Sequence, residues 1–594
     1  MTDVVVRRGV AVPMRDGAVL RADVWTARDD APRPALLQRT PYDRTDSGAA
    51  VVGAALEPLR AVARGFAVVI QDVRGRFASE GTFTPFAQEG DDGEDTLAWV
   101  AAQPWCDGRV CMYGGSYVGA TQLLAAVRVP PSLAAVAPQL TAAEYWEGWT
   151  HQGGAFQLGF LGFWTLGWLA PDALARLAAA EPDAAERLAG CFDALADDPD
   201  AALALGPAEL GARLRPLAPY LEEWRAHPAR DGFWEATAIR DRYARVTTPA
   251  LHVAGWHDIF LAGTLANFAG LRAHAATAAA RDGQRLIVGP WTHAALGDTL
   301  GERRFGRRAA RAALDLTRLQ LDFFAAVLRG EQPLGAPVRI FTMGADRWRD
   351  LDAWPPPGAV VEAWELGEGG GLGPGGAGMA VGASVADEGS ARDVAFGMTG
   401  FALDDAAAAA SPSASAGAAP SVLLHDPADP VPAIAGATFL PGQDVTLRSG
   451  PRDRRPVQAR ADVLVFESAP LTEEAELTGE LAAEIWVALD RRGGDVVVAL
   501  SELLPDGRAL HLADGVARLA AGAPGADGGA PVAVRVELGA TSVALPAGRR
   551  LRAEVCGSCF PRFDVHPAVP ARHAIFHDAA RPSRLLLPFL RARH

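Results

Sequence analysis

Short apolar runs alternate with helical patterns through the first part of this sequence. The apolar runs predict buried strands at residues 35–37, 67–70, 110–113 and 133–136. The helical patterns between them cover about 50–63, 89–103 and 117–128. Strands that are separated by helices pair in parallel, and such a sheet is covered by helices on both faces. The alternation therefore predicts an α/β fold with a mostly parallel sheet.

The strand signal stops in the middle of this α/β pattern and later resumes. Trp, Leu and Ala predominate between about 145 and 245, and short apolar runs return at 251–254 and 286–288. We therefore expect a first part of the core at 1–144, an all-helical cap at 145–245 carried by one of its loops, and a second part of the core at 246–353.

The character of the sequence changes again after three prolines at 355–357. A Gly-rich stretch at 367–378 and an Ala/Ser/Pro tract at 406–420 predict flexible loops or a linker. Alternating patterns then predict strands at 463–466, 484–487, 496–499, 532–536 and 551–555. Short strands at this spacing are typical of a β-sandwich, and we expect a jelly-roll domain at 354–594.

Composition excludes several classes of protein. About half of the 594 residues are hydrophobic (49%), so the chain is not disordered, and its formal net charge is −15 with no lysine. An acidic chain without a basic tract predicts neither a nucleic-acid partner nor a membrane surface. Five cysteines and a start without a signal-peptide pattern predict a cytoplasmic protein. We expect a monomer or a homodimer. No cofactor motif is apparent, and Cys556 and Cys559 lack the further ligands of a metal site.

The sharpest local signal is a serine in a glycine-rich turn. The segment Tyr113-Gly114-Gly115-Ser116-Tyr117-Val118-Gly119 follows a predicted strand and opens a predicted helix. A serine at such a turn presents its hydroxyl at the sheet edge, and the next backbone N–H points to where an oxyanion would form. Val118 stands where the usual G-x-S-x-G pattern has its second glycine. The segment predicts Ser116 as a nucleophile.

A nucleophilic serine needs a base and an acid that orients the base. In this topology the chain order is Ser, then Asp or Glu, then His, each just beyond a strand. Asp258 and His293 satisfy this order, since each follows a resumed strand. His257 is a rival base, but it adjoins the candidate acid. The acidic run from Glu89 to Asp95 predicts only a solvated helix start.

Longer motifs resemble the cocaine-esterase type within the X-Pro dipeptidyl-peptidase-like (peptidase S15-type) family of serine hydrolases. The resemblance covers nearly the whole chain. It includes the segments Val12-Pro13-Met14-Arg15-Asp16-Gly17, Pro41-Tyr42-Asp43, Asp72-Val73-Arg74-Gly75-Arg76, Trp105-Cys106-Asp107-Gly108, Gly255-Trp256-His257-Asp258, Gly289-Pro290-Trp291-Thr292-His293 and Ser558-Cys559-Phe560-Pro561-Arg562. It implies an α/β-hydrolase fold with a helical cap and a C-terminal jelly roll.

The resemblance also implies roles for individual residues. Ser116 is the implied nucleophile, His293 the general base and then acid, and Asp258 the residue that orients His293. The serine motif with Val118 is the family's own form. Tyr42 matches the tyrosine whose hydroxyl completes the oxyanion hole with the backbone N–H of Tyr117.

Four further residues match an acyl pocket that holds an aromatic group in enzymes of this type: Trp149, Trp164, Phe260 and Leu440. Pro441 replaces an aromatic residue there. Related enzymes that bind an α-ammonium carry acidic residues after the triad Asp, but Ile259, Phe260 and Leu261 follow Asp258 here. An ammonium placed there would lose its water without gaining a partner. We therefore expect a small-molecule ester with a neutral or aromatic acyl group.

The predicted reaction is hydrolysis of a carboxylic ester through an acyl-enzyme. Amidase, acylase, dipeptidyl-peptidase or acyltransferase activity with the same triad stays open. So does a different class of protein, a carbohydrate-binding jelly roll with a silent triad.

Overall fold

A computed structural model describes residues 3–29, 31–45, 56–333, 335–375, 419–440 and 448–590. Residues 50–55 of the first helical pattern, 376–378 of the Gly-rich stretch, 406–418 of the Ala/Ser/Pro tract and Pro441 lie outside these residues. The chain divides into two compact units. The first comprises Met1–Trp354, Ala433–Arg452 and Phe560–Asp564, and the second Pro355–Pro432, Asp453–Cys559 and Val565–His594.

A twisted ten-stranded sheet forms the centre of the first unit in the described chain. Its strands are β1 (Val4–Pro13), β2 (Val19–Ala27), β3 (Arg33–Thr40), β4 (Ala67–Asp72), β5 (Cys106–Gly115), β6 (Leu133–Gln139), β7 (Leu251–His257), β8 (Arg285–Thr292), β9 (Val338–Thr342) and β10 (Arg347–Leu351). The order is β1-β2-β4-β3-β5-β6-β7-β8-β9-β10. Pairing is parallel from β4 through β9 and antiparallel at β1, β2 and β10.

Helices connect the parallel strands of this sheet, as the right-handed crossover of parallel strands requires. They are α1 (Pro58–Ala63), α2 (Glu89–Ala101) and α3 (Tyr117–Ala126) before the cap, and α11 (Leu261–His274), α12 (Ala278–Asp282), α13 (Arg311–Leu314) and α14 (Leu316–Leu328) after it. The mostly parallel sheet and the predicted strands of the core are confirmed. Two strands at each end of the sheet, β1 and β2 at one and β9 and β10 at the other, were not predicted.

The segment between β6 and β7 is helical, as predicted. Its helices are α4 (Leu158–Trp164), α5 (Ala170–Ala180), α6 (Pro182–Asp197), α7 (Pro199–Ala204), α8 (Gly206–Leu214), α9 (Tyr220–Ala226) and α10 (Gly232–Glu235), with a π-helical turn at Thr165–Leu169 and a 3-10 turn at Arg240–Arg245. Four of them, α5 to α8, begin with proline in the first two positions, where the missing N–H costs nothing. Asp198 caps α7 by accepting a hydrogen bond from the N–H of Ala201 at 3.0 Å.

The second unit is built almost entirely of strands. They are β11 (Ala359–Leu366), β12 (Gly371–Pro374), β13 (Ser421–His425), β14 (Leu464–Ser468), β15 (Ala475–Leu489), β16 (Gly494–Leu503), β17 (Ala509–Leu519), β18 (Val532–Leu545), β19 (Arg550–Cys556), β20 (Ala571–Asp578), β21 (Arg581–Pro582) and β22 (Arg584–Leu590), with one short helix, α15 (Arg455–Gln458), in the described residues. Most neighbours pair antiparallel, as in β15 with β18. The predicted β-rich C-terminal domain is confirmed.

The two architectures together are those expected of an α/β-hydrolase core with a helical insertion and a separate β-rich domain. Among the described residues, no helix combines the length and the apolar character that crossing a bilayer requires.

Candidate active site

Ser116 lies at a sharp turn between strand β5 and helix α3. Its backbone has φ 58° and ψ −128°, a conformation that L-residues rarely adopt and that costs of order 1–3 kcal/mol. The surrounding backbone holds it there: the Ser116 N–H donates to the carbonyl of Gln139 at 2.9 Å, and the Ser116 carbonyl accepts from Ala120 at 3.1 Å. In this conformation the hydroxyl lies within hydrogen-bond distance of His293, the residue after β8.

The glycines on either side of Ser116 are required by close packing. A Cβ on Gly114, whose φ is 128°, would lie 2.3 Å from Cγ1 of Val118. A Cβ on Gly119 would lie 2.8 Å from Cβ of Thr141. The valine in the usual second glycine position therefore fills the space that Gly114 leaves empty, and Gly119 is the residue that lets α3 approach the sheet.

Asp258 and His293 follow β7 and β8 and meet Ser116 at the same edge of the sheet. His293 Nδ1 lies 2.7 Å from Asp258 Oδ1, and His293 Nε2 lies 3.1 Å from Ser116 Oγ. All three residues are buried, with 1–2% of their surface exposed. This chain of hydrogen bonds has the order and lengths that proton transfer from a serine hydroxyl to an imidazole requires.

Strands β7 and β8 are neighbours in the sheet, so the residues that follow them, Asp258 and His293, lie next to each other. A Cβ on Gly255 would lie 2.3 Å from the carbonyl oxygen of Trp291, so only glycine admits the neighbouring strand. The turn that carries His293 is closed by two hydrogen bonds, from the Thr292 N–H to the carbonyl of Ala295 at 3.1 Å and from the Ala295 N–H to the Thr292 hydroxyl at 3.0 Å. The imidazole is thereby fixed in direction.

Tyr42 presents a buried hydroxyl to this group. The hydroxyl oxygen accepts a hydrogen bond from Nε1–H of Trp164 at 2.9 Å, and it also interacts with the Ser116 side chain. Burial raises the pKa of Tyr42 to about 12, against the opposing effects of Trp164 and Ser116. A phenol is protonated at neutral pH, and burial extends that range upward, so the hydroxyl can donate a hydrogen bond to an oxyanion.

The side chain of Tyr117 is anchored by hydrogen bonds, and its backbone N–H belongs to the first turn of α3. Its hydroxyl donates to Glu89 Oε1 at 2.9 Å and accepts from the N–H of Phe86 at 3.0 Å. Burial, together with the Glu89 carboxyl, raises the pKa of Tyr117 well above its ordinary value. The anchor stabilises the start of the helix that follows Ser116.

The start of α2 is not the solvated face that the acidic run predicted. Glu89 and Asp92 are buried, and their partners are buried or nearly buried arginines: Arg39 lies 2.8 Å from Glu89, and Arg74 lies 2.6 Å from Asp92. Desolvation accordingly raises the pKa of Glu89, while the guanidinium of Arg39 opposes that shift. The prediction was wrong for Glu89 and Asp92 because their partner arginines come from other elements of the fold, while Asp91 and Glu94 keep 44% and 36% of their side chains exposed.

Aromatic side chains pack around the triad. Trp149 stacks on Phe260 with centroids 4.5 Å apart, and Trp164 meets Trp149 edge-on at 5.5 Å. Phe260 in turn packs edge-on against the His293 ring at 5.0 Å. Three of the four predicted pocket residues are therefore in one aromatic cluster, which excludes water from the imidazole.

Leu440, the fourth predicted pocket residue, belongs to this first unit and is buried. Its Cδ2 would lie 2.1 Å from a Cβ on Gly159 of α4, so it packs directly on that helix. Its neighbour Pro441 lies outside the described residues.

Two aromatic residues of the cluster were missed by the sequence analysis. Phe439 packs edge-on against His293 at 5.1 Å, and Phe160 lies 5.4 Å from Phe260 and 6.1 Å from Phe439. Phe439 stands directly before Leu440, so the apolar pair Phe-Leu was the available signal. Phe160 stands one helical turn before Trp164, a spacing that places both on one face of α4.

Comparisons with known proteins identify the family of the chain. The family model of X-Pro dipeptidyl-peptidase (S15 family) matches residues 16–295, which include Ser116, Asp258 and His293. The model of the X-Pro dipeptidyl-peptidase C-terminal non-catalytic domain matches residues 335–586. A cocaine esterase from Rhodococcus sp. is 33% identical over 612 aligned residues, which cover 99% of each chain.

Solved structures share the fold. An α-amino acid ester hydrolase superposes with a TM-score of 0.75 at 22% identity, covering 99% of this chain and 97% of that one. An aminopeptidase from a marine sediment Thaumarchaeota archaeon gives a TM-score of 0.74 at 22% identity and the same coverage. Because two models of this family match consecutive parts of the chain and a relative matches its full length, the chain belongs to the S15, or X-Pro dipeptidyl-peptidase, family and is a serine hydrolase.

Proposed function

We propose that this chain hydrolyses carboxylic esters through an acyl-enzyme on Ser116, with His293 as the base and Asp258 as the residue that orients it. One observation carries the proposal: the unbroken hydrogen-bond chain from Asp258 Oδ1 through both ring nitrogens of His293 to Ser116 Oγ, at 2.7 and 3.1 Å. The full-length similarity to a cocaine esterase supports an ester substrate.

In the first half of the reaction, Ser116 Oγ attacks the ester carbonyl while His293 Nε2 takes its proton. The imidazolium that forms is stabilised by the carboxylate of Asp258 on the other ring nitrogen. The tetrahedral intermediate then collapses, the C–O bond to the alcohol breaks, and His293 returns the proton to the leaving oxygen. Water repeats the sequence on the acyl-enzyme and releases the acid.

Two donors are proposed to stabilise the tetrahedral oxyanion. One is the hydroxyl of Tyr42, which burial keeps protonated, and the other is the backbone N–H of Tyr117 at the positive end of α3. Both lie at the Ser116 turn, and neither has to ionise during the reaction. Their orientation before the substrate arrives is what makes such donors effective.

The acyl group is proposed to be neutral, and an aromatic acyl group fits the surrounding side chains. Trp149, Phe260 and Phe160 form an aromatic cluster beside His293, and Leu440 packs on Gly159, the residue before Phe160. An aromatic acyl group has the same apolar character as these side chains. The residues after Asp258 are Ile259, Phe260 and Leu261, which offer no carboxylate to an ammonium. A positively charged acyl group would be desolvated there without a partner.

A fluorophosphonate probe and a panel of p-nitrophenyl esters test the function. We expect one equivalent of covalent label, located at Ser116 by peptide mass analysis, and turnover of acetate and benzoate esters. Ser116→Ala should abolish both, while Ser132→Ala, which changes a serine whose hydroxyl donates to the carbonyl of Leu97, should keep both. Turnover of an X-Pro peptide but of no ester would overturn the proposal in favour of peptidase activity, and label at another serine would overturn the nucleophile.

A further inference from the structure

Tyr42 accepts a hydrogen bond before any substrate is present. The donor is Nε1–H of Trp164, 2.9 Å from the phenolic oxygen, and both side chains are buried. A phenol has one hydrogen to donate and lone pairs that accept. Because the indole N–H already bonds the phenolic oxygen, the hydrogen of Tyr42 is directed elsewhere. The Ser116 side chain also interacts with this hydroxyl.

Trp164 is held at the end of one helix and the start of an irregular turn. It is the last residue of α4, and the π-helical turn Thr165–Leu169 follows it. Its ring stacks over Tyr117 with centroids 6.0 Å apart and over Trp224 at 6.4 Å. Single π-turns inside helices often occur at functional sites, where the extra residue redirects a side chain.

One buried guanidinium ties the two partners together. Arg76 Nε donates to the carbonyl of Pro41, the residue before Tyr42, at 3.0 Å. Its Nη1 and Nη2 donate to the carbonyls of Leu169 and Trp168, in the turn after Trp164, at 2.8 and 3.1 Å. Only 1% of Arg76 is exposed, so these bonds form in a dry environment, where they are strong.

We propose that Trp164 is a positioning residue for Tyr42: its indole N–H occupies the phenolic oxygen and keeps the phenolic hydrogen directed at the oxyanion, and Arg76 fixes the spacing of the two. The inference rests on the oxyanion role proposed for Tyr42. A phenol that accepts a hydrogen bond is also a stronger donor, since such bonds polarise one another. The helical cap thus helps to assemble the oxyanion site, besides covering it.

A double-mutant cycle between Trp164 and Tyr42 separates this role from that of a pocket wall. We expect Trp164→Phe to lower kcat roughly tenfold by removing one hydrogen bond, and by the same factor for p-nitrophenyl acetate and benzoate. Tyr42→Phe should lower kcat by about 10²–10³. In the Tyr42→Phe background, Trp164→Phe should cost almost nothing further, because its target is gone.

The matched control is Trp234→Phe, another buried cap tryptophan whose indole N–H bonds a backbone carbonyl, that of His227, at 2.9 Å. The Trp234→Phe variant also loses an indole N–H hydrogen bond, and its kcat should stay within about twofold of that of the unmodified enzyme. If Trp164→Phe does not fold, 3-benzothienylalanine at position 164 keeps the shape of the indole without its N–H and gives the same comparison. Circular dichroism establishes that each variant is folded.

The outcomes distinguish the two proposals. Equal losses from Trp164→Phe in both Tyr42 backgrounds, or a loss confined to the benzoate ester, would show a pocket wall and overturn the positioning role, while the proposed esterase function stands. A Tyr42→Phe enzyme with unchanged kcat would instead overturn the oxyanion role itself. Non-additive losses that are equal for both esters support the inference.

Discussion

The core and the cap of the first unit contribute to the candidate site in different ways. Ser116, Asp258 and His293 follow parallel strands of the core, and their side chains are joined by hydrogen bonds of 2.7 and 3.1 Å. Trp149, Phe160 and Trp164 come from the inserted cap and contact one another mainly through ring faces and edges.

This difference follows from what each element can hold in place. Strand ends in a buried sheet have little freedom, so short polar side chains there keep the geometry that proton transfer needs. Aromatic rings on helices bury large areas and tolerate small shifts, which suits the recognition of an apolar group. Substitutions in the core should therefore lower kcat for every ester. Substitutions of cap residues that contact other side chains only through their rings, such as Trp149, should change the preference among esters, whereas Trp164 also bonds the Tyr42 hydroxyl and should affect every ester.

The largest effect is expected from Asp258→Asn in the core. An amide leaves the shape unchanged but favours the wrong tautomer of His293, so kcat should fall about 10⁴-fold for all esters. Steady-state kinetics with acetate and benzoate esters measure it. Asp322→Asn changes a half-exposed carboxylate that pairs with Arg64, and it should leave kcat unchanged. A kcat within tenfold of the unmodified enzyme would falsify the orienting role of Asp258.

A smaller and selective effect is expected from Trp149→Phe in the cap. The smaller ring leaves space beside Phe260, on which the indole now stacks at 4.5 Å. The ratio of kcat/KM for benzoate to that for acetate should change by roughly tenfold, as expected when a pocket changes by a few carbon atoms. An equal loss of kcat/KM for both esters would show that Trp149 does not discriminate between acyl groups. The contrast between core and cap would then not hold for this residue.

The smallest expected effect is a shift in the pH at which the Tyr42 phenol ionises. This core residue bonds Trp164 of the cap. Because burial raises its pKa to about 12, the proton should stay on the phenol well past the ordinary phenolic value of about 10. The ratio of kcat for the unmodified enzyme to kcat for Tyr42→Phe should therefore be constant from about pH 8 to about pH 10. This ratio cancels every pH effect that the two enzymes share. A ratio that falls toward one in that interval would show that the phenol ionises early.

Local patterns in the sequence were enough to predict much of the core. A serine between a strand and a helix, and an Asp and a His each just after a strand, identified three side chains that hydrogen bonds join in the structure. The reason is that parallel strands end at the same edge of a sheet, so positions along the chain translate directly into positions in space.

Contacts between distant segments were not predictable in the same way. Phe439 packs on His293 although 146 residues separate them (439 − 293). Glu89 and Asp92 at the start of α2 are buried, and they pair with Arg39 and Arg74 from other parts of the chain. The hydrogen bond from Trp164 to Tyr42 likewise joins two residues whose sequence neighbourhoods carry no sign of each other.

The amino-acid sequence by itself determined the alternation of strands and helices through most of the core, the serine turn and the identity of the polar residues at the strand ends. These depend on short-range sterics and on the period of apolar residues, which act within a few positions of the chain. The tertiary structure alone decided which charges are buried, which aromatic rings cover the imidazole and which indole N–H meets the Tyr42 hydroxyl. Those outcomes depend on side chains that only the packing of separate elements brings within hydrogen-bond or van der Waals distance.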